Sequence, residues 1–332
     1  MAEILLVSLG STVGLRASDA ELAASLRRCG ADVAVVAAVK PRQVRTLALT
    51  DLAWARAARV AAFAGIAREE PEAIIYSTIT AALLAPAPGA VRLDALSAQN
   101  LPGRHGIWQR PRERTVLARS PLLLPVSEAA LTGAPARHAP AIVVPIVVEP
   151  SGPLLPREQR DIAAITYAAN PDKKGLDRVL EAWAAARREG EELFLTGVDE
   201  APAMEGVRIA GTLERDEYRA LLRRARLYIA APRREEYGIS QLEALADGAM
   251  LVSTETAVPY AALGLAREAD ERLVGPDLAR AIRTALDDPR PDYAQAVAPL
   301  IERFSAASVD AIVSGQVLPA LRGERPAASS GG

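Results

Sequence analysis

The sequence predicts an α/β protein with two Rossmann-like, doubly wound domains that face a central cleft. Short β-rich runs bounded by turn residues alternate with longer Ala-, Leu- and Arg-rich stretches of helical period, which is the pattern of parallel βα units. The chain has 332 residues, which is more than one hydrophobic core usually supports. Residues 149–161 are rich in proline and charge, so we predict the domain linker there.

The first domain is predicted to comprise residues 1–150. Strands are expected near residues 3–8, 32–38, 73–76, 90–94, 121–126 and 141–144. A helix over residues 17–30 is expected after the first strand, capped by Ser18 or Asp19 and stopped by Gly30. Apolar residues one helical turn apart support the first βαβ unit.

The second domain is predicted to comprise residues 151–304. Its expected strands are residues 162–168, 192–197, 206–211, 226–231 and 249–254. Its expected helices are residues 175–188, 214–225, 239–247, 277–287 and 291–304. A C-terminal helix over 305–322 is expected to pack back towards the N-terminal domain, and the low-complexity tail 323–332 is expected to be disordered.

Composition argues against several classes of protein. Cys29 is the only cysteine and there are two histidines, so neither a disulfide framework nor a Cys- or His-based metal centre is expected. The N-terminal apolar run is too short for a signal peptide, and no eighteen apolar residues run uninterrupted. We therefore expect a cytoplasmic protein that does not span a membrane.

Two common nucleotide-binding motifs are missing. After the first strand the sequence is SLGSTVGLR, in which Gly10 and Gly14 are four residues apart and do not make G-x-G-x-x-G. No P-loop motif G-x-x-x-x-G-K-[ST] occurs either. Nicotinamide chemistry and NTP hydrolysis are thereby disfavoured.

The stretch PRREEYGISQLEALADG, residues 232–248, is the main candidate site. The amides of Gly238, Ile239 and Ser240 begin a helix after a strand, and a helix N-terminus favours an anion such as a phosphate. A carboxylate can accept from both hydroxyls of a vicinal diol, as Glu243 could do for a ribose and Glu235 for a second polyol. Two carboxylates beside an anion site indicate a nucleotide sugar. Alternatively, Glu235 is a solvated loop charge and Glu243 only complements the helix dipole.

This stretch resembles the E-x7-E signature of retaining glycosyltransferases of family four, with Glu236 in place of the usual glycine. The order of the N-terminal βαβ unit, VLARSPLLLPVSEAAL, YAANPDKKGLDRVLEAW and GVRIAGTLERDEYRALLRRARLYIAAP extends the resemblance over most of the chain. It implies a GT-B fold and transfer of a sugar from a nucleotide-diphosphate sugar to a hydroxyl acceptor, with retention of anomeric configuration.

The resemblance also implies roles for residues. Glu235 is expected to hold donor-sugar hydroxyls, Glu243 the ribose diol, and the Gly238–Ser240 amides the sugar or diphosphate. Lys174 matches the lysine that neutralises the diphosphate. The chain has 36 arginines but only three lysines, and Lys173 and Lys174 stand together, which independently suggests an ammonium placed against phosphate. Gly14 corresponds to the family's N-terminal glycine loop.

The chain departs from the family at two places. Ala168 and Ala169 occupy the positions where an arginine is usual, and Asn170 nearby supplies a hydrogen-bond donor without charge. Asp94 stands where many members have an N-domain histidine, and either Asp94 or His105 could do that work. The expected catalytic residues are therefore Glu235, Lys174 and Asp94.

The remaining expectations concern partners. The donor is expected to be UDP- or GDP-linked, and no cofactor is expected. No essential metal is expected either, because the chain has no Asp-x-Asp triplet to bind one. The acceptor, a small molecule, glycan or lipid-linked compound, is expected on the more basic first domain. Residues 40–60 and 104–114 mix arginines with a tryptophan and could touch anionic lipid, or could form solvated helix faces. A degenerate GT-B partner of another transferase, an epimerase and a phosphorylase remain alternatives, and no nucleic-acid partner is expected.

Overall fold

The computed structural model describes residues 1–42, 47–100 and 106–324. The chain divides into two compact units. The first unit combines Met1–Val147 with the C-terminal segment that begins at Ala306, and the second unit is Val148–Ser305. Each unit contains one parallel sheet of five strands with flanking helices, so the predicted α/β fold with two Rossmann-like domains is confirmed.

The sheet of the first unit has the strand order β2-β1-β3-β4-β5. Its strands are β1 Ile4–Ser8, β2 Val33–Ala37, β3 Ala73–Tyr76, β4 Ala90–Leu93 and β5 Leu123–Pro125. β1 is an interior strand, since Ile4 pairs with Val33 on one side and with Ala73 on the other. Every residue of β1 is buried, as expected of a parallel strand covered on both faces.

Helices of the first unit cover both faces of this sheet. They are α1 Val13–Arg28, α2 Leu47–Glu69, α3 Ile79–Ala82, α4 Ser97–Asn100 and α5 Gln109–Arg119. On one face, Leu5 and Val7 of β1 share a buried core with Ala58 and Ala62 of α2. The helix packs so closely on the strand that a Cβ on Gly65 of α2 would lie only 2.9 Å from the Leu5 side chain.

The opposite face of the same sheet is covered by α1 and by the C-terminal segment. Leu22 and Leu26 of α1 share a buried core with Ile4 and Leu6. The C-terminal helices, α13 Ala306–Ile312 and α14 Leu318–Leu321, are joined by a π-helical turn and contribute further residues to this core.

Two local predictions for the first unit were wrong. Residues 141–144 run beside β5 but form a single bridge, from Ala141 to Leu123, rather than a strand. The next bridge would need an amide hydrogen on Pro125, which a proline lacks, so only the Pro125 carbonyl takes part and accepts from the Val144 amide at 2.9 Å. Helix α1 begins at Val13, capped by the Thr12 side chain, which accepts from the Leu15 amide. Ser18 and Asp19 are therefore inside the helix, and their short polar side chains mimic a cap in the sequence.

The sheet of the second unit has the strand order β10-β9-β6-β7-β8. Its strands are β6 Ile162–Tyr167, β7 Leu193–Thr196, β8 Val207–Gly211, β9 Ala225–Ala230 and β10 Met250–Ser253, as the sequence predicted. Its helices are α6 Pro171–Lys174, α7 Leu176–Ala186, α8 Arg215–Arg224, α9 Ile239–Ala246, α10 Ala261–Ala269, α11 Leu278–Asp287 and α12 Tyr293–Ile301. β6 and β9 are neighbours, so the loops at their carboxyl ends meet at the same edge of the sheet.

One stretch of the described residues, Tyr293–Leu321, is long and apolar enough by composition to cross a membrane. It is not one straight helix, because Ser305 is extended with ψ 154° and separates α12 from α13. Val297 lies in the core of the second unit, whereas Val313 lies in that of the first, and both are buried.

Candidate active site

The loop after β9 places Glu235 in a buried position beside a lysine. Glu235 is only 7% exposed, and its Oε2 accepts a hydrogen bond from Lys174 Nζ. Gln241 Nε2 donates to the same oxygen at 3.2 Å. Oε1 makes no hydrogen bond within the described residues and is left for another donor. Glu235 is thus not a solvated loop charge.

Lys174 is held by a short turn at the carboxyl end of β6. Asn170 caps α6, since its Oδ1 accepts from the Lys173 amide at 3.1 Å. Gly175 ends α6 in the left-handed conformation with φ 64°, and a Cβ there would lie 2.0 Å from the Ala231 carbonyl oxygen. A glycine is therefore required for the turn to approach the end of β9, which brings the Lys174 ammonium to Glu235.

Glu236, which replaces the usual glycine of the signature, is engaged in a second ion pair. Its two carboxylate oxygens accept from Lys173 Nζ and from Arg234 Nε, the latter at 3.0 Å. Burial opposes ionisation, but the charge of Lys173 and then that of Arg234 leave the pKa of Glu236 below its ordinary value. Both lysines of the site are therefore paired with glutamates of one loop.

Glu243 is buried one turn inside α9 and faces two arginines of α8. Its Oε1 accepts from Arg215 Nη2 at 2.9 Å and lies 3.5 Å from Arg219 Nη1. Burial raises the pKa of Glu243, and the two arginines partly offset this. Within the described residues Oε2 of Glu243 has no hydrogen-bond partner, so one carboxylate oxygen stays available to a ligand hydroxyl.

At the start of α9 the backbone packs against an aromatic ring, and a hydroxyl links neighbouring side chains by hydrogen bonds. Gly238 caps α9 with φ 83°, and a Cβ there would lie 2.6 Å from the Tyr260 ring. Ile239 is the first helical residue. The Ser240 hydroxyl accepts from Tyr228 at 2.9 Å and donates to Gln241 Oε1 at 2.8 Å. A chain of hydrogen bonds therefore runs from Tyr228 through Ser240 and Gln241 to Glu235.

The second unit thus gathers most of the predicted site residues at one sheet edge, namely Asn170, Lys173, Lys174, Glu235, Gly238, Ile239, Ser240 and Glu243. Sequence reasoning missed Gln241, Arg215 and Arg219. The two arginines are four residues apart on α8, so the sequence does indicate that they share one face of the helix. Their ion pairs with Glu243 could not be predicted from the sequence, because Arg215 and Arg219 are 28 and 24 residues away from it.

The predicted residues of the first unit are separate from this cluster in the chain. Gly14 lies in the first turn of α1, and a Cβ there would have none of the described residues within 4 Å, so no close backbone approach among them requires a glycine. Asp94 directly follows β4 and is partly buried. His105 lies outside the described residues.

Buried polar groups of the first unit cluster at the carboxyl end of β1. Ser8 Oγ donates to Asp19 Oδ2 at 2.5 Å, and the Leu9 amide donates to Ser77 Oγ at 3.0 Å. Burial raises the pKa of Asp19, against the hydrogen bonds from the two serines. The sequence did not indicate this cluster, since its members lie on three different elements.

Comparison with known proteins gives a family match for the second unit. Residues 160–288 match the model of the family described as glycosyl transferases group 1. This segment contains Lys174, Glu235 and Glu243. No curated protein matches the sequence.

Solved structures with a similar fold cover nearly the whole chain. Sucrose-phosphate synthase from Thermosynechococcus elongatus is 14% identical with a TM-score of 0.73, covering 97% of this chain and 100% of its own. WaaG, a glycosyltransferase involved in lipopolysaccharide biosynthesis, is 14% identical with a TM-score of 0.69, covering 94% and 99%. HepE from Anabaena, solved with UDP and glucose, is 14% identical with a TM-score of 0.68, covering 97% and 100%. These similarities show that the chain shares the two-domain fold of these proteins over nearly its whole length.

Proposed function

We propose that the protein is a retaining hexosyltransferase that moves a sugar from a UDP- or GDP-linked donor to a hydroxyl acceptor. The observation that carries the proposal is the ion pair of half-buried Lys174 with buried Glu235 beside the N-terminus of α9, with Glu243 inside the same helix. A cation and helix amides next to two carboxylates match the alternating phosphate and hydroxyl groups of a nucleotide sugar. The family match over residues 160–288 and the UDP and glucose bound by HepE support this choice.

Each residue has a role that follows from its chemistry. Lys174 and the Gly238–Ser240 amides would stabilise the negative charge that develops on the leaving diphosphate. Glu235, through its open oxygen, would accept from hydroxyls of the donor sugar, and Glu243 from the ribose. Gln241 would hold Glu235 in place.

The proposed reaction needs no nucleophilic side chain. The bond from the anomeric carbon to the phosphate oxygen breaks, and the phosphate leaves with the electron pair. The acceptor hydroxyl attacks from the same face, and its proton passes to the leaving phosphate. Asp94 is proposed to contact the sugar or the acceptor. We also propose that the transfer requires no metal and no cofactor.

Donor binding is tested with a thermal-shift panel of UDP-, GDP- and dTDP-sugars. A donor at about 100 times its dissociation constant should add about 2.7 kcal/mol of stability. Stabilisation of the wild type by one nucleotide, lost in Glu243→Gln, is expected. Glu189→Gln is the matched control, because Glu189 is an exposed residue in the turn that precedes β7, at the amino end of the sheet. Loss of stabilisation in both variants, or no stabilisation of the wild type, would refute the donor site.

A degenerate, non-catalytic partner of another transferase is the second candidate. It is favoured by Ala168 and Ala169 at the usual arginine positions and by the pairing of both lysines with glutamates. The two candidates differ in donor hydrolysis. Slow release of the sugar, abolished by Glu235→Gln and giving the retained anomer by NMR, identifies the enzyme. Donor binding without hydrolysis or transfer identifies the degenerate partner.

We further propose that the protein is cytoplasmic and contacts an anionic membrane face through α2. Val60 and Phe63 of α2 are 69% and 51% exposed, and the Arg59 guanidinium lies 4.9 Å from the centre of the Phe63 ring. Exposed apolar side chains interleaved with arginines suit an anionic lipid surface. Co-sedimentation with phosphatidylglycerol vesicles, reduced in Phe63→Ser and absent with neutral vesicles, is expected. Equal sedimentation of wild type and Phe63→Ser would argue against this face.

A further inference from the structure

Arg219 of α8 is a buried arginine that touches three different parts of the second unit. It is 5% exposed. Its Nη1 lies 3.5 Å from Glu243 Oε1, its Nε donates to Asp247 Oδ2 at 2.6 Å, and its Nη2 donates to the Glu149 carbonyl at 2.8 Å. One planar guanidinium therefore joins the proposed ribose carboxylate to the end of α9 and to the start of the unit.

Asp247 extends this connection into the linker. Its side chain is fully buried, and its Oδ1 accepts from the Ser151 amide at 2.7 Å and from the Ser151 hydroxyl at 2.9 Å. The chain leaves the first unit at Val147, so Glu149 and Ser151 are among the first residues of the second unit. Arg219 and Asp247 thus fix the segment where the chain enters this unit.

Arg215 provides a natural contrast to Arg219. It makes the shorter contact to Glu243, at 2.9 Å, but its side chain is 54% exposed. No contact from Arg215 to residues 149–151 occurs within the described residues. Both arginines can therefore hold Glu243, while only Arg219 can transmit a change at Glu243 to the linker.

We propose that Arg219 is a positioning residue that orients Glu243 and couples its state to the linker segment Glu149–Ser151. A change in the charge or hydrogen bonding of Glu243 alters how firmly Arg219 is held. Because the same guanidinium binds the Glu149 carbonyl and Asp247, the Ser151 amide responds. The coupling itself depends only on residues of this unit, whereas its response to a nucleotide rests on the function proposed above.

The coupling is tested first without any ligand, by hydrogen exchange of the Ser151 amide in the full chain. Glu243→Gln is expected to speed exchange by roughly three- to tenfold, since contacting groups couple to this extent. In an Arg219→Lys background the same change should have no further effect, because a lysine ammonium lacks the three-way geometry. Equal effects of Glu243→Gln in both backgrounds, or no effect in either, would overturn the proposal. Arg219→Lys keeps the charge next to Asp247, so the variant should still fold.

A second arm uses UDP and GDP as probes. Binding to the wild type should slow Ser151 exchange, and Arg215→Met should weaken binding but keep this response at saturation. Arg219→Lys should bind nucleotide without the response. A response that survives in Arg219→Lys, or is lost equally in Arg215→Met, contradicts the coupling. If neither nucleotide binds the wild type, the proposed donor site fails, while the ligand-free comparison still decides the coupling.

Discussion

Replacing Gly175 with alanine should destabilise the second unit by about 2–5 kcal/mol. The left-handed backbone at φ 64° costs an alanine about 1–2 kcal/mol. In addition, its Cβ would lie 2.0 Å from the Ala231 carbonyl oxygen, so the turn or the end of β9 must move by about 1 Å. Forcing atoms into a packed position of this kind costs about 1–3 kcal/mol.

Two other glycines of the second unit separate these two contributions. Gly190 has φ 80°, and no atom of the part of the chain that the structure describes lies within 4 Å of its Cβ position, so Gly190→Ala should cost only the backbone part, about 1–2 kcal/mol. Gly264 is an exposed position inside α10, and its Cβ position has no neighbour within 4 Å among the described residues, so Gly264→Ala should stabilise by about 0.5–1 kcal/mol.

The assay is urea unfolding of the full chain, followed by circular dichroism. The unfolding midpoints are compared for variants in which the free energy of unfolding depends on urea concentration with the same slope. The expected order of midpoints is Gly264→Ala above wild type, then Gly190→Ala, then Gly175→Ala. Nucleotide binding should weaken only in Gly175→Ala, because Lys174 is carried by the same turn. If Gly175→Ala were no less stable than Gly190→Ala, the close approach between the turn and β9 would be wrong.

Three further predictions concern charged groups. Since the pKa of Asp19 is raised by burial, the folded state holds its proton more tightly than the unfolded state, and the contribution of Asp19 to stability should fall as pH rises above about 4. Asp19→Asn should remove this loss, so its melting temperature relative to wild type should be higher at pH 7 than at pH 4; an offset independent of pH contradicts it. Arg160→Met should cost about 2–4 kcal/mol in urea unfolding, because its buried guanidinium donates to three carbonyls, and a loss below 1 kcal/mol would show that those contacts matter little. Lys174→Met should lower UDP affinity roughly tenfold or more in calorimetry but leave UMP affinity unchanged, because the proposed charge-assisted hydrogen bond to the second phosphate is lost. Equal losses of affinity for both nucleotides would contradict a contact between Lys174 and that phosphate.

The local pattern of the sequence determined the backbone architecture of the protein. The alternation of β-rich runs with helical stretches depends only on residues that are close in sequence, so the strands of both sheets could be located from the sequence. The seven residues between Glu235 and Glu243 likewise put one carboxylate on a loop and one inside a helix without any tertiary information. Local reasoning failed where a short polar residue resembled a cap, as at Ser18, or where the partner strand ended in a proline that has no amide hydrogen, as beside residues 141–144.

The tertiary structure alone decided which charges meet. Lys174 reaches Glu235 across 61 residues, and Asp247 meets Ser151 across 96. Such pairs arise when the chain returns to the same sheet edge, so no periodicity encodes them. Burial was decided in the same way, because a glutamate in a charged loop has the composition of a solvated residue until the packing of β6, β9 and α9 encloses it. That enclosure is the physical reason why Glu235 and Glu243, which the sequence could only propose, lie in a site with their charges paired.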